Sequence, residues 1–163
     1  MKAKDIMIPI QAFLKLDNTL KEAVNILWVT PCDKKSQGTE GLPVQDQANK
    51  IIGILSMQDI LKAVHPFYMS MTEADLGNFT WDGMVESLAK EAGKKRVEDY
   101  MTRELATIRE NDPLMKCVDL MIKRKMKQLL VLDDHGKVVG MIYERDVFSA
   151  ITKAMMDEGK GEQ

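Results

Sequence analysis

Ser56 and Asp59 stand three residues apart where an apolar β-rich run, Gly53-Ile54-Leu55, gives way to a helical pattern. At a strand end running into a helix start, Ser can cap the first turn and present its hydroxyl, while an Asp in that turn points back toward the same spot. Gly53 lets a ligand or another backbone approach closely. A carboxylate so placed can accept from both hydroxyls of a ribose. Taken singly, Ser-x-x-Asp is only a helix-capping pattern. Here the segment recurs, because Gly140-Met141-Ile142-Tyr143-Glu144-Arg145-Asp146 repeats Gly53-Ile54-Leu55-Ser56-Met57-Gln58-Asp59.

The recurrence extends along the chain. Asp5, Met7, Ala12, Leu20 and Val24 match Asp99, Met101, Ala106, Leu114 and Val118 at a constant offset of 94. Leu42, Val44, Asp46, Lys50, Gly53, Asp59 and Ala63 match Leu129, Val131, Asp133, Lys137, Gly140, Asp146 and Ala150 at an offset of 87. The difference is a seven-residue insertion in the first copy around Pro31 to Gly38, a polar stretch suited to a surface loop. Two copies of one unit imply a pseudosymmetric pair with a cleft between them, a better place for a small ligand than for catalysis by a lone side chain.

Each copy carries the same order of elements. In the first, Leu20, Ala23, Val24 and Leu27 fall on one helical face, with Asp17 or Asn18 available as a cap. In the second, Leu114, Cys117, Val118 and Met121 form that face, with Asp112 as cap and Pro113 at the first helical position. Each helix is followed by two β-rich runs around a polar turn: Leu42 to Gln45 and Lys50 to Leu55, then Gln128 to Leu132 and Lys137 to Tyr143. Gly136 supplies the positive φ of the second turn, and Asn49 takes its place in the first. A helix closes each copy, Met57 to Val64 and Glu144 to Met156, so the unit reads as short strand, helix, strand, strand, helix.

The chain therefore divides into a first repeat over 1–66, an ordered connector over 67–95, a second repeat over 96–156 and a fraying tail over 157–163. The connector is too apolar for a plain linker, and Trp81 to Glu91 has helical spacing that Gly93-Lys94-Lys95 would end.

Composition narrows the function classes. The 163 residues fit one domain or two half-domains sharing a core, at the usual figure of about 100 to 200 residues per domain. A net charge of −2 provides no broad basic surface, which disfavours nucleic acid as a partner. Cys32 and Cys117 are separated from one another and from His65 and His135, so neither a metal site nor redox chemistry is expected. The reading is a free Cys32 and a core Cys117 in a reducing compartment. Without a signal-like opening or a run of about 18 apolar residues, the chain reads as cytoplasmic, with no membrane partner. The 13 methionines suit core and interface filling. Phosphate-binding, dinucleotide and zinc-protease motifs are absent from the sequence, and no nucleophile has a base beside it, so no catalytic residues and no enzymatic activity are assigned.

The chain resembles the CBS-domain family, named after cystathionine β-synthase, in its tandem form, the Bateman module. The resemblance rests on Lys4-Asp5-Ile6-Met7 and Val97-Glu98-Asp99-Tyr100-Met101-Thr102, on Leu42-Pro43-Val44-Gln45-Asp46 and Leu130-Val131-Leu132-Asp133, and on the two Gly-to-Asp segments. It implies a mixed α/β (α+β) fold of two pseudosymmetric β-α-β-β-α repeats packed sheet to sheet, acting as a regulatory module rather than an enzyme. It also implies clefts for adenosine-containing ligands. One would combine Ile54, Ser56 and Asp59 with Met101, Ala106, Met126 and Lys127. The other would combine Met141, Tyr143 and Asp146 with Met7, Ala12, Thr39 and Glu40.

These clefts differ. Tyr143 replaces the small hydroxyl of Ser56, and Glu40 adds negative charge where the first cleft has Lys127, preceded by Lys123, Arg124 and Lys125, to meet phosphates. The same basic run equally suits a solvated helix end. The Ser56/Asp59 cleft is the expected nucleotide site. The leading expectation is a stand-alone sensor, a homodimer that binds AMP, ADP, ATP or S-adenosylmethionine as a regulatory ligand, requires no cofactor, and signals to another polypeptide. The alternative is a dimeric interaction scaffold that docks a partner through the apolar connector with its clefts empty.

Overall fold

The computed structural model describes residues 1–30, 40–65 and 82–157, which form two compact units. One comprises Gln11–Glu104; the other joins Met1–Ile10 to Leu105–Gln163. Each holds one sheet, and neither is a single stretch of one sequence repeat. The second unit opens the chain with α1 (Ala3–Ile6) and β1 (Ile8–Pro9), before the chain enters the first.

The first unit contains β2 (Leu14–Lys15), α2 (Leu20–Val29), β3 (Gly41–Gln45), β4 (Ile51–Ser56), α3 (Met57–Val64), α4 (Met84–Gly93) and α5 (Val97–Tyr100). Its sheet has the order β2-β3-β4, parallel and then antiparallel. The second unit continues with β5 (Thr107–Arg109), α6 (Leu114–Arg124), β6 (Gln128–Leu132), β7 (Val138–Tyr143) and α7 (Glu144–Met156). Its sheet runs β1-β7-β6-β5. The strand-helix-strand-strand-helix order read from the sequence is present in both units.

The hairpins show how closely the copies agree. Asp46 Oδ1 accepts the N–H groups of Ala48 and Lys50, and Asp133 Oδ1 accepts those of His135 and Lys137, all at 2.9 Å. These side-chain bonds fold the turn back on itself. Asn49 and Gly136 occupy the same turn position with φ of 60° and 78°. A register shift follows Val44 in one hairpin and Val131 in the other.

Two helix starts differ from the expectation. Thr19, rather than Asp17 or Asn18, caps α2, accepting from the Glu22 N–H at 3.2 Å, because the Asn18 amide oxygen is committed to the Lys15 N–H at 2.8 Å. Asp112 does not cap α6. Its carboxylate turns back to the Arg109 N–H at 2.9 Å and pairs with the Lys116 ammonium at 2.8 Å, leaving Pro113 at the cap position with extended backbone. In the connector α4 runs Met84–Gly93, so the expected helix over Trp81 to Glu91 begins later and does end at Gly93; Trp81 itself lies outside the described residues.

The cores explain the grouping of the chain. Val97 and Met101, from the start of the second sequence copy, are buried with Leu14, Val44 and Leu55 of the first unit. Ala3 is buried with Ile108, Leu129 and Ile142 of the second. Apolar residues at the start of each copy thus complete the core built on the other copy's hairpin. Cys117 is fully buried, as its helical spacing required.

Candidate ligand site

β4 delivers Ser56 to the start of α3, and the backbone there is extended, which directs the Ser hydroxyl at the open first turn. Ser56 Oγ accepts the Asp59 N–H at 3.3 Å. Asp59 Oδ2 in return accepts the Ser56 N–H at 2.9 Å and the Ser56 hydroxyl at 3.0 Å, closing a reciprocal capping box. Asp59 is only 4% exposed, so these donors stand in for the water that its oxygens would otherwise meet.

A third donor comes from Thr102, which the sequence places in a repeated motif but not among the expected site residues. The Thr102 hydroxyl donates to Asp59, 3.1 Å from Oδ1 and 3.3 Å from Oδ2. Thr102 is held there by its backbone, since Ile54 and Thr102 exchange N–H to carbonyl bonds of 2.9 Å in both directions. The signal for it was present: at the offset of 94, Thr102 corresponds to Ile8, a polar-for-apolar difference beside the matched Met101 and Met7.

Gly53 permits this close approach. A β-carbon at residue 53 would stand 2.8 Å from Met101 Sδ and 3.0 Å from the Thr102 carbonyl oxygen. The first unit therefore brings together four expected site residues, Ile54, Ser56, Asp59 and Met101, with Ile54 and Met101 buried and Ser56 half-buried. Ala106, Met126 and Lys127 belong to the second unit, where Ala106 is buried, Met126 half-buried and Lys127 exposed.

In the second unit the same construction gathers Met7, Met141, Tyr143 and Asp146. Ile8 pairs with Met141 in the sheet, and a β-carbon on Gly140 would stand 2.8 Å from Met7 Sδ. The Tyr143 N–H donates to Asp146 Oδ2 at 3.0 Å, repeating the backbone half of the Ser56–Asp59 box. The Tyr143 side chain does something else: its ring is buried at 2% exposure and its hydroxyl lies 3.6 Å from Met141 Sδ. Ala12 and Glu40 belong to the first unit, and Thr39 lies outside the described residues. Glu40 and Lys127 are structural equivalents, since their carbonyls accept the first helical N–H of α3 and α7 from Met57 and Glu144, at 2.9 and 2.8 Å. Opposite charges therefore occupy one position of the repeat.

The fold and this doubled strand-to-helix site define a class of protein, the tandem pair of CBS domains. The CBS domain family matches residues 3–66 and 97–153, and the chain belongs to that family. An uncharacterized protein of Methanocaldococcus jannaschii is 28% identical over 93% of this chain and 91% of its own length. Other curated relatives are longer, and the chain spans 23% and 26% of two of them. Among solved structures, a CBS domain-containing protein of unknown function from Bacillus anthracis superposes with a TM-score of 0.65, at 19% identity, over 94% of both chains. CBSX2, a CBS-pair protein of Arabidopsis thaliana, superposes in its complex with AMP with a TM-score of 0.59, at 24% identity, over 94% of this chain and 98% of its own. These likenesses establish the fold. Among the described residues no helix is long and apolar enough to cross a membrane.

Proposed function

We infer that this chain is a regulatory module that binds an adenosine-containing ligand, AMP, ADP, ATP or S-adenosylmethionine, at the Ser56/Asp59 site and signals by conformational change to a partner polypeptide. One observation carries the reading: a nearly buried carboxylate at a helix start is oriented by Ser56 and Thr102, with Ile54 and Met101 as apolar neighbours. Such a carboxylate recognises a vicinal diol through charge-assisted hydrogen bonds. The CBSX2 complex with AMP supports the choice of ligand class. Ligand binding alone would transmit nothing; signalling requires different affinities for two states of the module.

Calorimetric titration with the four compounds tests this. At least one should bind, and Asp59→Asn, which keeps the shape but loses the charge, should weaken it at least tenfold. Absence of heat with all four in a folded sample would remove the reading.

A second reading, a dimeric scaffold working without nucleotide, draws on exposed apolar side chains on the closing helices. Leu61 of α3 is 69% exposed and Phe148 of α7 is 67% exposed. Both suit burial against a second copy. It predicts a dimer that Leu61→Glu or Phe148→Glu dissociates, and melting temperatures indifferent to nucleotides.

A further inference from the structure

We propose that Thr102 sets the ribose selectivity of the Ser56/Asp59 site by competing with one hydroxyl of the diol for the Asp59 carboxylate. The inference rests on the adenosine reading above and deepens it. Each carboxylate oxygen has two good acceptor positions. Oδ2 receives the N–H and the hydroxyl of Ser56, at 2.9 and 3.0 Å, and is full. The Thr102 hydroxyl has one proton and sits nearer Oδ1, at 3.1 Å, than Oδ2, at 3.3 Å, so it takes one position on Oδ1 and leaves one there. A ribose presents two adjacent hydroxyls. One fits beside Thr102, and the second needs the place that Thr102 holds.

The competition is confined to a side-chain rotation. Thr102 cannot withdraw its backbone without breaking the paired 2.9 Å bonds to Ile54, but the residue is exposed, so its hydroxyl can turn to water. While that bond is made it satisfies a carboxylate that is 4% exposed, which stabilises the protein before nucleotide is added. The same stabilisation must be given up when the diol binds, reducing the apparent affinity. The second unit differs at both hydroxyl positions. At the corresponding positions of the second unit stand Ile8 and Tyr143, so no aliphatic hydroxyl is aimed at Asp146 from either.

The test crosses two changes, the Thr102 hydroxyl and the ligand's hydroxyls. Wild type, Thr102→Val and Thr102→Ser are titrated with AMP, 2′-deoxy-AMP and 3′-deoxy-AMP, and melted without ligand. Val keeps the branched shape, and Ser keeps the hydroxyl. Thr102→Val should bind AMP about three- to tenfold more tightly, as expected for exchanging one hydrogen bond to a charged group. Its affinity for both deoxy analogues should change little, its melting temperature without ligand should fall, and Thr102→Ser should behave as wild type. Weaker AMP binding by Thr102→Val would overturn the competition and make Thr102 a support for Asp59. An equal gain for AMP and the deoxy compounds, or an unchanged melting temperature, would overturn it too. If wild type binds AMP and Thr102→Val binds it no better, the competition alone fails. If wild type binds none of AMP, ADP, ATP and S-adenosylmethionine, the adenosine reading fails and takes the competition with it; if it binds one of the other three but not AMP, that compound and its deoxy analogues take the place of AMP in the same comparison.

Discussion

Met101 lies against Gly53 so closely that its Sδ is 2.8 Å from the point a β-carbon on residue 53 would occupy, and Met7 stands in the same relation to Gly140. The space belongs to the methionine because residue 53 has no side chain. Gly53→Ala and Gly140→Ala should each destabilise the protein by about 1–3 kcal/mol, the usual cost of overfilling a packed site. Urea denaturation measures this. Met101 is flexible, but the Thr102 carbonyl at 3.0 Å is not, so removing the methionine should offset only part of the loss. Gly53→Ala combined with Met101→Ala should therefore cost less than the two single changes added together. Strict additivity would mean that the residues do not meet in solution.

That pair also shows which part of the fold the sequence carried. The doubled Gly-to-Asp segments located β4 with α3 and β7 with α7, because a strand-to-helix change is written locally in apolar spacing and a capping box. Met101 is expected in the Ser56/Asp59 cleft through family resemblance alone; the structure sets it against Gly53, three residues before Ser56. The exchange of copy-opening segments was less legible. β1 is two residues long and pairs with a strand about 130 positions later, and neither its length nor its composition names its partner. Thr102 was missed for a related reason. The repeat is written in positions that match, and Thr102 differs from its counterpart, Ile8.

The polar turns give a second prediction. Gly136 has φ of 78° and Asn49, its equivalent, φ of 60°. A left-handed residue costs about 1–2 kcal/mol through its β-carbon, a cost that Gly escapes and that Asn reduces with its local hydrogen bonds. Gly136→Ala should lower stability by about that amount, whereas Gly136→Asn and Asn49→Gly should stay within about 0.5 kcal/mol of wild type by the same denaturation assay. Equal losses for Ala and Asn at residue 136 would show that another constraint governs the turn.

Cys117 yields a dependence on pH with a definite sign. Burial pushes its thiol above the ordinary 9.0, because the thiolate loses its solvation inside the core of the second unit; Asp112 adds to this, and a backbone hydrogen bond and Lys116 oppose it. The folded state thus holds this proton more tightly than the unfolded chain. Its contribution to stability is complete below pH 9 and declines as the pH rises through and beyond that value. In a Cys32→Ser background, unfolding midpoints followed from pH 7.5 to 10.5 should fall more steeply than those of the same protein carrying Cys117→Ala, values chosen to span the ordinary thiol range. Ellman's reagent should modify Cys117 at neutral pH only at the rate of unfolding. Rapid labelling of the folded protein would place the thiol at the surface.

Lys95 ties the connector to the helix that bears Asp59. Its ammonium donates to the Ala63 carbonyl at 3.1 Å, among the last carbonyls of α3, and lies 5.2 Å from the centroid of the Tyr100 ring. A cation at a helix C-terminus and over an aromatic face is favoured on both counts. Thr102 engages the N-terminal turn of the same helix through Asp59, so residues 95 to 102 grip α3 near both ends. Lys95→Met keeps the aliphatic stem and removes the charge; it should cost about 1 kcal/mol and speed amide exchange in the last turn of α3. Lys95→Arg should retain most of the protection, since it restores a cation at the same place. If ligand binding at Asp59 is transmitted along α3, AMP should slow exchange in residues 57–65 and 95–102 together in wild type, and in Lys95→Met the response of the last turn of α3 should separate from that of its first. Responses that stay joined in Lys95→Met would mean that the helix needs no anchor from the connector.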